Sequence, residues 1–449
     1  DVARHAMLWQ TVGATLTLPE GAASGRLEIE VIKDRDTKTS YRAVRMYGIR
    51  AIARSWRQVP ALHLDATGDM EVIHTVVPHA ELRADIVADA PHARVTQHFD
   101  KTFSKGALGS SNRLAGDAWR WCVAEAQKAG GEWLVITHKK HADYIRETFT
   151  VPPFMHLAHH GAIEGRDEWR GVRGVIVIGM PRPPPKAMER LAGIIRGHKG
   201  PCLADDAWYP AELMTLEAKD GTKATVEVEV HPDSIANAFL RAASIGRVIQ
   251  AIGRGRGVNR NAAEPLDVLL LGNAPLDAQP DSLALWHRAD VAAEVMATVG
   301  MFTENYADLA KIAPGMFRTA KAALRALEKA RTSPRPYKEA LYGLGEVLEA
   351  EYQPAGRGMK PRRAWIDRRW IEDPVAFLTA RIGPLASFDW IDDAPAIGLP
   401  AAQAPEYYVQ VTMRGSGAPH ASAPRSRSPC IGSMANQKMD ARPKALPNA

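Results

Sequence analysis

Gly174-Val175-Ile176-Val177-Ile178-Gly179, running directly into Met180-Pro181-Arg182-Pro183-Pro184-Pro185, is the stretch on which the fold turns. Four β-branched residues in a row between glycines show no polar alternation, so this strand is expected to be covered on both faces. The proline-rich exit cannot continue as strand or helix. Towards the N-terminus lies a second apolar run, Trp133 to Thr137, behind Gly130-Gly131, which ends a helical pattern from Ala115 to Lys128. A further helix from His141 to Thr148 leads into Pro152-Pro153. Towards the C-terminus come a helix from Lys186 to Gly197, an alternating strand from Ala224 to Val230, one long helix from Ser234 to Ile252, and an apolar strand, Leu266 to Leu271, broken only by Asp267. Strand and helix alternating from about residue 130 to 275 predict a parallel sheet with helices on both faces, an α/β domain.

The flanks are less regular. Leu27, Ile29 and Val31, then Tyr41, Ala43, Val44 and Met46, alternate around the polar segment Asp34 to Lys38, which predicts a hairpin. Val59 to Leu64 reads as a short buried strand feeding the loop Asp65-Ala66-Thr67-Gly68-Asp69. Beyond Asp281 apolar residues recur at three- and four-residue steps, with helices expected over Asp290 to Val299, Met316 to Arg331 and Tyr337 to Ala350. Residues 337 to 395 fit a winged helix or a plain bundle. After Pro405 the chain fills with Ala, Pro, Ser, Gly and Arg, a composition that predicts a disordered, basic tail.

With 449 residues and 46% hydrophobic content, the chain is long enough for two or three domains. No apolar run reaches the roughly eighteen residues of a membrane span, and the start lacks a signal-peptide layout, so a cytosolic location is expected. Cys122, Cys202 and Cys430 are too few and too scattered for a disulfide framework or a cysteine zinc site. His138 with His141, and His156 with His159 and His160, lack the cysteine or carboxylate partners of a metal site. The net charge of +6 is modest, but its placement is informative. Arg357, Lys360, Arg362, Arg363, Arg368 and Arg369 crowd one stretch with Trp365 and Trp370 between them. Cations beside rings that stack on bases suit a nucleic-acid surface, and a solvated basic loop fits equally well.

The most specific local pattern is Gln250-Ala251-Ile252-Gly253-Arg254-Gly255-Arg256-Gly257-Val258-Asn259-Arg260, between a helix and a strand. Guanidinium forks on glycine-rich backbone suit bidentate phosphate contact; the alternative is a basic surface turn. Gln250, Gly253 and Arg254 resemble the Q-x-x-G-R core of motif six in superfamily 2 (DEAD/DEAH-like) helicases. That resemblance implies an arginine finger, Arg254 or Arg256, stabilising charge on a transferring phosphoryl group of ATP, with Gln250 sensing the nucleotide. The family's second arginine falls on Gly257, with Arg256 and Arg260 to either side.

Three further segments follow in the family's order. Asp65-Ala66-Thr67 is similar to motif three, which couples nucleotide state to nucleic-acid grip, and places Asp65 and Thr67 beside the nucleotide. Leu134 to Lys140 resembles the strand of motif four, implying that Thr137 and Lys139 touch a nucleic-acid backbone; a strand ending in solvated lysines is the alternative. His160-Gly161 and Gly165-Arg166-Asp167 before Trp169 are similar to motif five, implying that Gly165, Asp167 and Gly253 line the nucleotide cleft. Read from the residues alone, Asp167 accepts from a ribose hydroxyl or an arginine, or caps a helix. The resemblance spans residues 25 to 275 and points towards helicase-type proteins of phages and mobile elements.

No G-x-x-x-x-G-K-[ST] loop occurs in the chain, nor an Asp-Glu-x-His or Asp-Glu-Ala-Asp box after an apolar strand. The resemblance therefore implies that ATP and Mg2+ are held mainly by an upstream half on a longer product, a reading to which the initial aspartate adds. The expected layout is residues 1–115 closing a first RecA-like domain, 116–275 forming a second RecA-like parallel-sheet domain, 276–404 a helical accessory domain, and 405–449 tail. The partner expected is DNA, single- or double-stranded, or RNA, contacted by Thr137, Lys139, Arg357, Lys360, Arg362 and Arg363. A nucleic-acid-binding accessory protein without a motor is the runner-up. A small-molecule α/β enzyme would need a base or nucleophile beside the arginine turn, and none is evident. His231-Pro232-Asp233 is read as a helix start, with Asp233 as an ordinary first-turn residue.

Overall fold

Burial of the apolar runs on both sides of one sheet organises the molecule, seen in a computed structural model that describes residues 2–33, 39–49, 55, 59–63, 68–86, 88–276, 278–331 and 346–391. The chain opens with helix α1 (Val2–Leu16), the hairpin β1 (Leu27–Lys33) and β2 (Ser40–Met46), and helix α2 (Met70–Val76). Next come β3 (Ala93–His98), α3 (Lys105–Ser110), α4 (Asn112–Ala129), β4 (Trp133–Thr137), α5 (Lys139–Thr148), β5 (Met155–His159) and β6 (Gly174–Ile178). After α6 (Pro185–Arg196), a hairpin of β7 (Ala211–Glu217) and β8 (Lys223–Glu229) precedes α7 (Ser234–Ala243) and α8 (Ile245–Ile252). Strands β9 (Leu266–Leu271) and β10 (Ser282–Ala284) complete the sheet. The last described part holds α9 (Val291–Val299), β11 (Met301–Thr303), α10 (Tyr306–Ile312), α11 (Ala320–Arg331), β12 (Val347–Pro354), β13 (Arg362–Asp367), α12 (Pro374–Ile382) and β14 (Leu385–Trp390).

The central sheet has six strands in the order β10-β3-β9-β6-β4-β5, every neighbouring pair parallel. Side chains alternate across it as a period of two requires. Trp133, Val135, Ile176 and Ile178 pack on one face with Trp119, Cys122 and Val123 of α4. Leu134, Ile136, Val175 and Val177 pack on the other with Val248 and Ala251 of α8 and with Ile163, Trp169 and Val172 of the β5–β6 crossover. Each such side chain contributes on the order of 1.5–3 kcal/mol when fully buried. Gly174 matters here for space: a Cβ would stand 2.3 Å from the Trp133 ring, which lies across it in register.

The N-terminal hairpin is present, with Leu27 opposite Met46. It docks through Arg26, which donates to the carbonyls of Ile194 and Ile195 at the end of α6. Asp233 caps α7 by accepting from Ala236 N, and it also pairs with Arg196, 2.7 Å away, so its role exceeds that of a first-turn residue.

Several expectations are corrected. A domain boundary at 115/116 would cut the sheet, because β3 precedes it and pairs with both β9 and β10; β10 likewise lies beyond 275. Residues 59–63 form no strand and are exposed, so no buried strand precedes the Asp65 loop, whose residues 64–67 lie outside those described. The helix expected over Ser234 to Ile252 is broken at Ser244 (φ −115°, ψ −77°). Residues 276–391 are not all-helical: β11–β14 form an antiparallel sheet ordered β11-β13-β12-β14. The expected helix from Tyr337 to Ala350 ends in strand β12, where burial of Ala350, Tyr352 and Pro354 alternates with period two; residues 337–345 lie outside those described. The tail from 405 also lies outside. Among the described residues no helix is long and apolar enough to cross a membrane.

Candidate functional site

The crossover from β5 to β6 carries no helix, and its residues 163–172 cover the same sheet face as α8. The arginine turn at the end of α8 therefore meets the Gly165-Arg166-Asp167 loop, 88 to 89 positions earlier in the chain. Arg254 Nη1 donates to the Arg166 carbonyl at 2.8 Å. Arg256 Nε donates to Asp167 Oδ1 at 2.7 Å. Arg247 pairs with Glu164 and stands 3.5 Å from Gln250 Oε1, two α8 residues three apart on one face.

Arg260 has a different task. It donates to the carbonyls of Gly255, Arg170 and Val172 at 2.7–3.0 Å, closing the turn onto the crossover, and burial lowers its pKa. A guanidinium bound to three carbonyls is an internal brace, which leaves Arg254 and Arg256 as the arginines able to meet a ligand. Gly255 lets the turn reach the sheet: a Cβ would stand 2.7 Å from Leu266 Cδ2 and 2.9 Å from Val175 Cγ2. Arg256 itself holds φ 52°, a left-handed backbone uncommon for a side-chain-bearing residue, which turns its guanidinium towards Asp167.

This surface is open. The side chains of Arg256 and Asp167 are 44% and 49% exposed, a degree at which an ion pair is worth about 1 kcal/mol or less. Exchange of Asp167 for a ligand oxygen is therefore cheap. Gly165 (φ +72°) and Gly253 have no neighbour within 4 Å of a would-be Cβ, so backbone is accessible beside both arginines. Arg254 Nε is buried without a partner. Of the residues expected at the nucleotide, Gln250, Gly253, Arg254, Arg256, Gly165 and Asp167 thus share one locality, while Asp65 and Thr67 lie outside the described residues.

The opposite, carboxyl edge of the sheet behaves otherwise. Thr137 is fully buried, its Oγ1 donating to His141 Nδ1 at 2.8 Å while His141 Nε2 donates to the Ala115 carbonyl at 3.0 Å. Thr137 therefore faces inward and cannot touch a nucleic-acid backbone as expected; Lys139 is exposed. His138 and His160 stand with ring centroids 5.7 Å apart. Burial, chiefly, lowers both to about 4, aided for His138 by His141 and Lys105 and for His160 by His138. His138 Nε2 and both His160 nitrogens make no well-aligned hydrogen bond, although the Phe103 carbonyl lies against His138 and the Gly179 and Ile178 backbone lies against His160, which opposes part of the lowering. Gly179 (φ +68°) brings backbone within reach: a Cβ there would lie 2.3 Å from the Phe103 carbonyl and 2.7 Å from His138 Nε2.

The basic stretch is only partly free. Arg362 is drawn in to Asp308, which also accepts from Tyr352 at 2.7 Å, and Arg363 pairs with Glu349 at 2.9 Å. Trp365 is buried in the core, and Trp370 packs edge-on to Phe154 against Gly300, so neither ring is placed to stack on bases. Arg357 and Lys360 stand exposed on the β12–β13 loop.

No family model, curated protein or solved structure matches the chain. The site rests on its geometry. Two features escaped sequence reading: the bracing role of Arg260, whose carbonyl acceptors have no side-chain signature, and the paired His138 and His160, which separate strands bring together. Among the described residues no three His, Cys, Asp or Glu side chains come together as a metal site.

Proposed function

We propose that the chain supplies the arginine-bearing half of a nucleic-acid-stimulated ATPase of the superfamily 2 helicase or translocase type. The observation that carries this reading is the meeting of Arg254 and Arg256 with the Gly165-Arg166-Asp167 loop on one exposed surface. A six-stranded parallel sheet is consistent with a RecA-like domain.

The residues fit a triphosphate in part. The exposed guanidinium of Arg256 and the half-buried one of Arg254, beside glycine backbone, suit its terminal phosphoryl group, and Asp167 suits a ribose hydroxyl or the resting position of Arg256. No carboxylate cluster for Mg2+ is found among the described residues, so metal and the remaining phosphates fall to an upstream half carrying a phosphate-binding loop. In this reading Arg256 leaves Asp167 as the halves close, and with Arg254 it stabilises charge developing on the phosphoryl oxygens. Gln250, beside Arg247, senses the same state from α8. DNA or RNA is held by Lys139, Arg357 and Lys360, with Arg362 and Arg363 bracing their hairpin from Asp308 and Glu349.

The test is ATP hydrolysis with and without single-stranded DNA, by this chain and by the chain extended upstream, each with Arg254→Ala and Arg256→Ala. DNA-stimulated turnover in the extended protein alone, reduced about 10³-fold or more by one of the substitutions, is expected. DNA binding by both proteins with no hydrolysis by either would replace the motor with a binding protein.

A further inference from the structure

Of the six cations that crowd residues 357–369, three are spent inside the fold: Arg362 on Asp308, Arg363 on Glu349 and Arg369 on the fully buried Asp367. Helix α11 and its approach keep their charge at the surface. Between residues 311 and 331 the chain carries Lys311, Arg318, Lys321, Arg325, Lys329 and Arg331 against Glu328 alone, a net +5 where the whole chain has +6. All six cations are exposed, and Lys311, Arg318, Lys321 and Arg325 make no ion pair among the described residues.

Lys321, Arg325 and Lys329 recur at four-residue steps, so at a rise of about 1.5 Å per residue they stand in one row about 12 Å long. Ala323 and Leu327 fill the opposite side, against the core that holds Phe302 and Trp365. The row does nothing for the helix that carries it. Like charges four residues apart weaken a helix, and Lys321 stands in the first turn, where the amide dipoles disfavour a cation and no acidic residue is present. Ala322 is the sole apolar residue exposed on α11, so this face lacks both the apolar centre of a protein interface and the Trp, Phe or Leu that an interfacial helix buries in lipid. A row of cations with no apolar centre fits a polyanion met through its phosphates.

We infer that the exposed face of α11 is a nucleic-acid-binding surface, on which Lys321, Arg325 and Lys329 follow the phosphates of a strand without reading its bases. The inference rests on the nucleic-acid part of the proposed function, adding α11 to the contacts of Lys139, Arg357 and Lys360, and is independent of ATP hydrolysis.

The test measures binding of a twelve-residue oligothymidylate by fluorescence anisotropy over a salt series. It compares the wild-type chain with Lys321→Ala/Arg325→Ala/Lys329→Ala, with Arg357→Ala/Lys360→Ala, and with a control, Lys105→Ala/Lys128→Ala/Lys223→Ala, that removes the same charge as the first from exposed positions on α3, α4 and β8. The α11 variant is expected to bind at least about tenfold more weakly at low salt and to lower the salt slope by about 2, three contacts at roughly 0.7 each, with the control unchanged. Alanine favours the helix, so the thermal midpoint should not fall; a glutamine version of the same three positions, which keeps the side chains long, is expected to lose binding equally. Wild-type binding by the α11 variants, or an equal loss in the control, would overturn the surface. If binding falls only with Arg357→Ala/Lys360→Ala, the nucleic-acid part of the proposed function stands and α11 has no share in it. A wild-type chain that binds phosphatidylserine vesicles and not the oligonucleotide removes both.

Discussion

Arg260 and Arg256 show how neighbouring arginines in one turn divide their work. Arg260 is bound by three carbonyls and shapes the turn, whereas Arg256 holds a single exposed carboxylate and is free to leave it. Arg260→Ala should therefore lower the thermal midpoint, with a loss on the order of 1–3 kcal/mol for stranding buried acceptors, while Arg256→Ala should leave the midpoint within about 0.5 kcal/mol of wild type. Equal destabilisation by the two in thermal melts would contradict the division. The His138 and His160 rings give a pH dependence with a definite sign. Their folded values near 4 lie below the ordinary 6.5, so above pH 6.5 both states are neutral and stability is unaffected. As pH falls from 6.5 to 4 the unfolded chain takes up protons first and stability is lost, on the order of 3 kcal/mol per ring at most. Urea midpoints at pH 7.5 and 5 should differ less in a His160→Gln variant than in wild type; an equal difference in both would remove the histidines from the account. At this scale the sequence showed the arginine turn through its glycine spacing, but not which arginine was spent internally, because backbone acceptors leave no trace in residue identity. Thr137 was misread for a related reason: at the end of a strand buried on both faces, the last side chain turns inward when a histidine four residues on accepts its proton.

Among the elements, the strands that were easiest to read are those with continuous β-branched runs. Strands β4, β6 and β9 lie inside the six-stranded sheet and pack on both sides, so their amides should exchange most slowly with solvent. The β1–β2 hairpin stands as a two-stranded sheet with Ile29, Val31 and Val44 exposed, and its amides should exchange faster by orders of magnitude. Hydrogen exchange that finds β1 as protected as β6 would contradict the layering. Strands β7 and β12 were missed as strands because Ala-Glu-Leu-Met-Thr-Leu-Glu and Val-Leu-Glu-Ala-Glu are rich in residues favourable to helices. Tertiary pairing decides their state: β7 against β8, and β12 between β13 and β14. The break at Ser244 was hidden likewise, since its Oγ turns back to the Leu240 carbonyl while apolar spacing continues across it.

In the whole molecule the parallel sheet presents two edges with different chemistry. The amino ends of β6 and β9 carry the arginine turn on its crossover loop; the carboxyl ends of β4 and β5 carry Lys105, Lys140 and the two histidines. The alternation of strands and helices from 130 to 275 was enough to foresee the sheet, but not that it begins at Ala93 and closes with Ser282–Ala284, since a three-residue strand has no periodicity to read. A net charge of +6 agrees with an anionic partner without choosing an edge. The most direct test of the central claim, that the arginine edge acts on nucleotide, is a DNA titration of steady-state ATP hydrolysis by the upstream-extended protein, yielding kcat and the DNA concentration for half-maximal stimulation. The account predicts that Arg254→Ala or Arg256→Ala lowers kcat about 10³-fold at unchanged half-maximal DNA. An extended protein that turns over under DNA stimulation equally well with both arginines replaced would contradict it.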